Sequence, residues 1–214
     1  MIYTVKMGEN MENIYGKYFS TLKAVMENLV EKIKTYNEIE IDKNGEAAYE
    51  HLIYRIKSPE SMSEKCVRKS LPQTTYSALH EIQDAIGIRI VCRFIDDIYT
   101  NLKYIRRMKD IRIVEEKDYI KNVKPNGYRS YHVIIEITQP YEDVTGQNPG
   151  RFFAELQIRT IAMDTWASLE HQMKYKHDIK NSDLIVRELK RCADELAACD
   201  ISMQTIRNLI KAEN

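Results

Sequence analysis

The chain has 214 residues, 43% hydrophobic and 30% charged, which is enough apolar content for a packed core under an ordinary polar surface. Lys and Arg number 32 and Asp and Glu number 32, so the formal net charge is zero and no global field draws the protein to nucleic acid or a membrane. No apolar run is long enough to span a bilayer and no leader pattern is present, so the expected location is the cytoplasm.

In chain order, Ile14, Tyr18, Leu22, Val25, Leu29 and Ile33 recur at three- or four-residue intervals, which predicts a helix over about 11–36. The stretch 46–56 reads as a second helix. Ser58-Pro59-Glu60 is a helix start, with serine as cap, proline in the first turn and an acid at the positive dipole end; that helix should run to about residue 69. Thr74 caps a short helix to about residue 83. The pattern then changes to period two. Strands are expected over 85–94, 111–116, 130–138 and 151–159, with a helix over about 96–109 between the first two. In the last strand Phe153, Glu155, Gln157 and Arg159 share a face, and a face carrying Glu, Gln and Arg in a row lines solvent or a site. A helix over 160–176 holds Trp166. The last helix, about 183–212, carries a coiled-coil-like seam from Ile185 to Ile210, suited to packing on the first helix or to a homo-oligomer. The whole reads as a single domain over 1–214 with its core at about 45–176.

Cys66, Cys92, Cys192 and Cys199 form no C-x-x-C pair, which disfavours a zinc site or a disulfide framework. The histidines lack metal-ligand spacing, and His177-Asp178 reads as a helix-end feature.

The groups suited to chemistry lie elsewhere. Between Lys117 and His132 a basic loop carries Lys117, Lys121 and Lys124, then the turn pair Asn126-Gly127, then Tyr128 and Arg129. Mobile ammonium groups follow phosphate oxygens, a tyrosine offers a flat face to a base, and arginine adds a rigid donor fork. Alone, the stretch reads more plainly as a solvated hairpin loop. Asp84 stands before the first strand and Glu155 inside the fourth. Two such carboxylates can converge on Mg2+, which takes one or two carboxylates and fills its shell with water and phosphate oxygens. An acid between Ala154 and Leu156 costs desolvation unless something uses it. Arg55, Lys57, Lys65, Arg68, Lys69, Arg89 and Arg159 complete an inventory of many cations and few nucleophiles, the set that phosphoryl transfer requires. Gly87 and Gly127 are isolated, so no P-loop is present.

Five segments in order resemble the RelA/SpoT-type synthetase domain: Arg55-Ile56-Lys57-Ser58-Pro59-Glu60-Ser61-Met62 through Lys65, Asp84-Ala85-Ile86-Gly87-Ile88-Arg89-Ile90, Asn126-Gly127-Tyr128-Arg129-Ser130-Tyr131-His132, Glu155-Leu156-Gln157-Ile158-Arg159-Thr160, and Trp166-Ala167-Ser168-Leu169-Glu170-His171. They cover roughly 45–175, and the flanking helices resemble the small alarmone synthetases. The resemblance implies an α+β fold with a nucleotidyltransferase-like mixed sheet of about four or five strands between N-terminal and C-terminal helices. It also implies transfer of the β,γ-diphosphate of ATP to a 3′-hydroxyl with release of AMP. On the matching positions it implies Asp84 and Glu155 as magnesium ligands, Glu155 as base and Gln157 as orienting group. It implies Arg55, Ser61, Lys65, Arg68 and Arg89 as ATP contacts, the two arginines sandwiching adenine. Tyr128 would stack the acceptor base, with His132, Lys121, Lys124 and Arg129 around it. The favoured acceptor is GDP or GTP. The alternative is a toxin-type member that modifies the 3′ end of tRNA and is held in check by an antitoxin, with Arg129, Lys174 and Lys176 on the acceptor stem. Zero net charge weighs against RNA. A non-catalytic nucleotide- or RNA-binding regulator would predict loss of Asp84 or Glu155, and both are present.

Overall fold

The computed structural model describes residues 13–175 and 182–213. The elements run α1 (Phe19–Asn44), β1 (His51–Ile56), α2 (Pro59–Arg68), β2 (Ile86–Cys92), α3 (Ile95–Ile105), β3 (Ile111–Asp118), β4 (Tyr131–Gln139), β5 (Gly150–Thr160), α4 (Ile161–Tyr175) and α5 (Ser182–Glu213). The sheet has five strands in the order β1-β2-β5-β4-β3, with β2 and β5 parallel and the other pairs antiparallel. This is the expected mixed sheet between flanking helices.

Period two divides the sheet into two faces. Ile86, Ile88 and Ile90 of β2, Ala154, Leu156 and Ile158 of β5, and Val133, Ile135 and Ile137 of β4 are buried in one core. Leu22, Val25, Leu29 and Ile33 of α1 and Ile98, Leu102 and Ile105 of α3 belong to the same core. A smaller cluster joins Trp166 of α4 to Leu189 and Ala193 of α5, with Tyr128 packed against it. Among the described residues, no helix is long and apolar enough to cross a membrane.

Two expectations need correction. The stretch 46–56 is not a helix: α1 ends at Asn44, Gly45 turns the chain at φ +70°, and β1 follows. Leu52 and Ile56 stand four apart, a spacing that satisfies both a helix and a strand. Pairing with β2 decides between them. The first helix also extends past residue 36, because Glu38, Glu40 and Lys43 are good helix formers and the left-handed glycine is its stop. The expected short helix after Thr74 forms over 75–81, its last five residues, Ser77–Glu81, winding wider, and Thr74 caps it with Oγ1 accepting from the Ser77 amide at 3.2 Å. Likewise α2 starts as expected, with Ser58 Oγ accepting from the Ser61 amide at 3.3 Å. The seam helix α5 packs on α4 and α3, and its far end leaves Met203, Ile206 and Ile210 exposed. Met11, Glu12, Lys176 and the pair His177-Asp178 lie outside the described residues, as does the side chain of Lys174.

The loop before β4 is held against α5. Gly127 has φ +90°, and a Cβ there would lie 2.5 Å from the Cβ of Ala193. Gly127→Ala is therefore expected to destabilise the protein by roughly 1–3 kcal/mol, read as a lower urea midpoint. An unchanged midpoint would show that the loop moves away from α5 freely.

Candidate active site

Strand register brings distant residues onto the face opposite the core. One row across the sheet reads Ile53, Arg89, Gln157, His132, Lys117; the next reads Arg55, Gly87, Glu155, Ile134, Glu115. The residue between Arg55 and Glu155 is a glycine, so the second row is open in the middle. A cleft of about 290 Å³ forms over this face, lined by Asp84, Glu155, His132, Lys65, Lys69, Lys117, Tyr119 and Lys124 among others. The two predicted carboxylates thus share one cavity with four lysines.

Asp84 sits where the chain enters β2. Its Oδ2 accepts from both Lys57 and Lys65, while its buried Oδ1 has no partner among the described residues. Burial alone would raise its pKa, but the two ammonium groups outweigh burial and hold the carboxyl below its ordinary range. Glu155 behaves alike: burial pushes up, and hydrogen bonds from His132 (3.0 Å) and Gln157 (3.0 Å) bring the net shift down. The charges of Asp84 and Glu155 act on each other. An unmet carboxylate oxygen beside a second carboxylate fits a magnesium ion whose remaining ligands are water and phosphate oxygens. Among the described residues, no cluster of three or more His, Cys, Asp or Glu could hold a metal by itself.

Five side chains, Glu155 among them, close a ring of hydrogen bonds. Arg159 Nη2 donates to the Tyr128 hydroxyl at 2.6 Å and to Gln157 Oε1 at 3.0 Å. Gln157 Nε2 donates to Glu155 Oε2 at 3.0 Å. The Tyr128 hydroxyl meets His132 Nε2 at 2.7 Å, and His132 Nδ1 meets Glu155 Oε1 at 3.0 Å. Arginine can only donate. With the imidazole neutral, the tyrosine proton points to Nε2 and Nδ1–H points to Glu155. Both arms of the ring then run from the Arg159 cation to the Glu155 anion, so every member is satisfied and the carboxylate is aimed.

The other predicted residues divide. Lys124 Nζ lies over Tyr119 (4.3 Å) and Tyr128 (4.9 Å), at the cleft wall. Arg89 is half-buried and pairs with Asp164 at 3.1 Å, and Arg55 is exposed on β1, close enough for its charge to be felt at Arg89. Ser61 lies in the first turn of α2. Of the predicted residues Asp84, Glu155, Lys65, Lys124 and His132 line the cleft, and Gln157, Tyr128, Arg55, Arg89, Ser61, Arg129, Lys121 and Arg68 do not. Arg129 turns into α5, donating to the carbonyls of Gly127 and Ala193 (3.1 Å each) and to Asp194 (3.0 Å), so its fork is spent on structure. Lys121 projects to solvent beside Tyr99, since the chain winds once between β3 and the Asn126-Gly127 turn. Arg68 is exposed on α2, and its neighbour Lys69 reaches the cleft instead.

The residues underrated from sequence are Lys57, Tyr119, Arg159 and Asp164. Lys57 and Arg159 read only as members of a basic inventory. Alternation does put Arg159 on the face of Glu155 and Gln157, and that was the available signal. Nothing in the sequence distinguished Tyr119 or Asp164 from surface polar residues.

A five-stranded mixed sheet flanked by helices, with a carboxylate pair and a ring of cations on one face, makes this a nucleotidyltransferase-like α+β protein. The chain belongs to the RelA/SpoT family: the model described as "Region found in RelA / SpoT proteins" matches residues 54–180. It is 42% identical over 168 residues to the GTP pyrophosphokinase YwaC of Bacillus subtilis, covering 77% of this chain and 76% of that protein. It is 32% identical over 200 residues to GTP pyrophosphokinase YjbM of the same organism, covering 92% and 90%. Small alarmone synthetase 1 from Bacillus subtilis, solved with its product pppGpp, superimposes with a TM-score of 0.78 at 30% identity, covering 91% of this chain and 97% of that one.

Proposed function

We propose that the protein transfers the β,γ-diphosphate of ATP to the 3′-hydroxyl of GDP or GTP, giving (p)ppGpp and AMP. The observation that carries this reading is the hydrogen-bonded Glu155, ionised at neutral pH and aimed into a cleft with four lysines. The 3′-oxygen attacks the β-phosphorus, the bridge bond between the α and β phosphates breaks, and AMP leaves with the bonding pair. Glu155 takes the hydroxyl proton. Lys57, Lys65 and Lys69 face the donor phosphates, and Arg55 and Arg89 the adenine. Tyr128 stacks the acceptor base, with Lys124 and His132 beside it. Magnesium held by Asp84 and Glu155 would neutralise phosphate charge as it shifts to the leaving group. The names of the relatives support the guanosine acceptor. The tRNA-end reading, with its antitoxin, is weakened because Arg129 is spent on α5. The exposed Met203, Ile206 and Ile210 of α5 support a homo-oligomer.

Incubation with γ-labelled ATP and GDP, GTP or deacylated tRNA tests the reading. Label is expected on the guanosine nucleotide. Label on tRNA alone would replace the acceptor, and label on none would reject the transfer.

A further inference from the structure

Asp164, in the first turn of α4, takes no part in the transfer as described above. Its Oδ1 lies 3.1 Å from Nη1 of Arg89 and 3.2 Å from Nη1 of Arg159. One carboxylate oxygen therefore joins two guanidinium groups that serve different subsites. Arg159, only 4% exposed, reaches the acceptor side through its 2.6 Å bond to the Tyr128 hydroxyl. Arg89 faces the donor base, and its buried Nε has no hydrogen-bond partner among the described residues. Two cations share one anion here, so the cluster keeps a surplus positive charge. Burial first, and the Arg159 charge second, lower the proton affinity of Arg89.

We propose that Asp164 is a positioning residue that couples the two nucleotide subsites, so that each nucleotide binds more tightly when the other is present. The proposal rests on the transfer reading above. A guanidinium stacked on a base uses its flat face and leaves its edge N–H groups for an in-plane acceptor. Asp164 is the anion paired with that edge of Arg89, at 3.1 Å. A base seated on Arg89 fixes the plane of that side chain and with it the Asp164 carboxylate. The same oxygen then holds Arg159, and Arg159 holds the Tyr128 ring through its hydroxyl. The ordering cost of the shared carboxylate is met by whichever ligand arrives first, and the second finds its platform already set. Linkage requires the same factor in both directions.

The test is calorimetric titration with α,β-methylene ATP, which resists cleavage at the α–β bridge, and with GDP, each alone and with the other saturating. In the wild-type protein each nucleotide is expected to bind about fivefold tighter or more in the presence of the other, by one common factor. In Asp164→Asn, which keeps the shape and removes the charge, the factor is expected to fall close to one. A wild-type protein without coupling, or an Asp164→Asn protein with the full wild-type factor, overturns the proposal. Circular dichroism establishes folding. Should Asp164→Asn not fold, Arg159→Lys gives the same reading, because a single ammonium cannot hold Asp164 and Tyr128 together; there too, retention of the full factor overturns the proposal. Label transfer by the wild-type protein is measured in parallel. Transfer without coupling rejects the role of Asp164 alone, whereas absence of transfer rejects the activity on which it rests.

Discussion

Glu155→Gln is expected to lower pyrophosphate transfer by roughly 10²- to 10⁴-fold, the range a positioned general base supplies, while both nucleotides still bind. Glutamine fills the same volume but cannot take the hydroxyl proton. It also disturbs the ring. The carboxylate accepts from His132 on one oxygen and from Gln157 on the other, and an amide has only one oxygen to offer. The pH dependence checks the same point. The folded Glu155 carboxyl lies below its ordinary value of 4.5, because the His132 and Gln157 bonds outweigh burial. A depressed carboxylate pKa gives a contribution that is fully present above the ordinary value and is lost as pH falls through the folded value. The acid limb of a single-turnover rate profile should therefore fall below that ordinary value of 4.5. A limb near neutrality, or full transfer by the glutamine variant, would remove Glu155 as the base.

Tyr128→Ala should raise the KM for the acceptor nucleotide roughly 5- to 150-fold, the equivalent of losing one stacked base. Tyr128→Phe separates the two functions of this residue. Phenylalanine keeps the flat face, so the acceptor KM should change little. It removes the hydroxyl that meets both Arg159 and His132, leaving His132 Nε2 without its donor. Its effect should therefore fall on kcat. Initial-rate kinetics with varied acceptor decide the matter: an alanine variant with an altered KM for ATP and an unaltered one for the acceptor would place Tyr128 in the other subsite.

Strands β2 to β5 were legible because their apolar residues alternate, and one period separates a core face from a site face. The same alternation put Glu155 and Gln157 side by side and pointed to Arg159. Strand β1 was not legible. It lies at the sheet edge with most of its residues exposed, so Leu52 and Ile56 were left to mimic a helical repeat. Arg129 and Lys121 carry the right charge at the right place in the chain. Where each points is settled by α5 and by the winding of the loop, long-range features that local composition does not carry. Asp164 was invisible for a related reason: an acid in the first turn of a helix is ordinary, and only the parallel pairing of β2 with β5 brings Arg89 and Arg159 to it.

The close approach of Gly127 to Ala193 makes the loop before β4 and the middle of α5 a matched pair, joined again by Arg129 at the Ala193 carbonyl and at Asp194. An exchange of the loop between relatives, made to alter acceptor preference, has to carry the facing helix surface around residues 189–194 with it. Otherwise the transplanted tyrosine arrives without the backing that holds its ring in place.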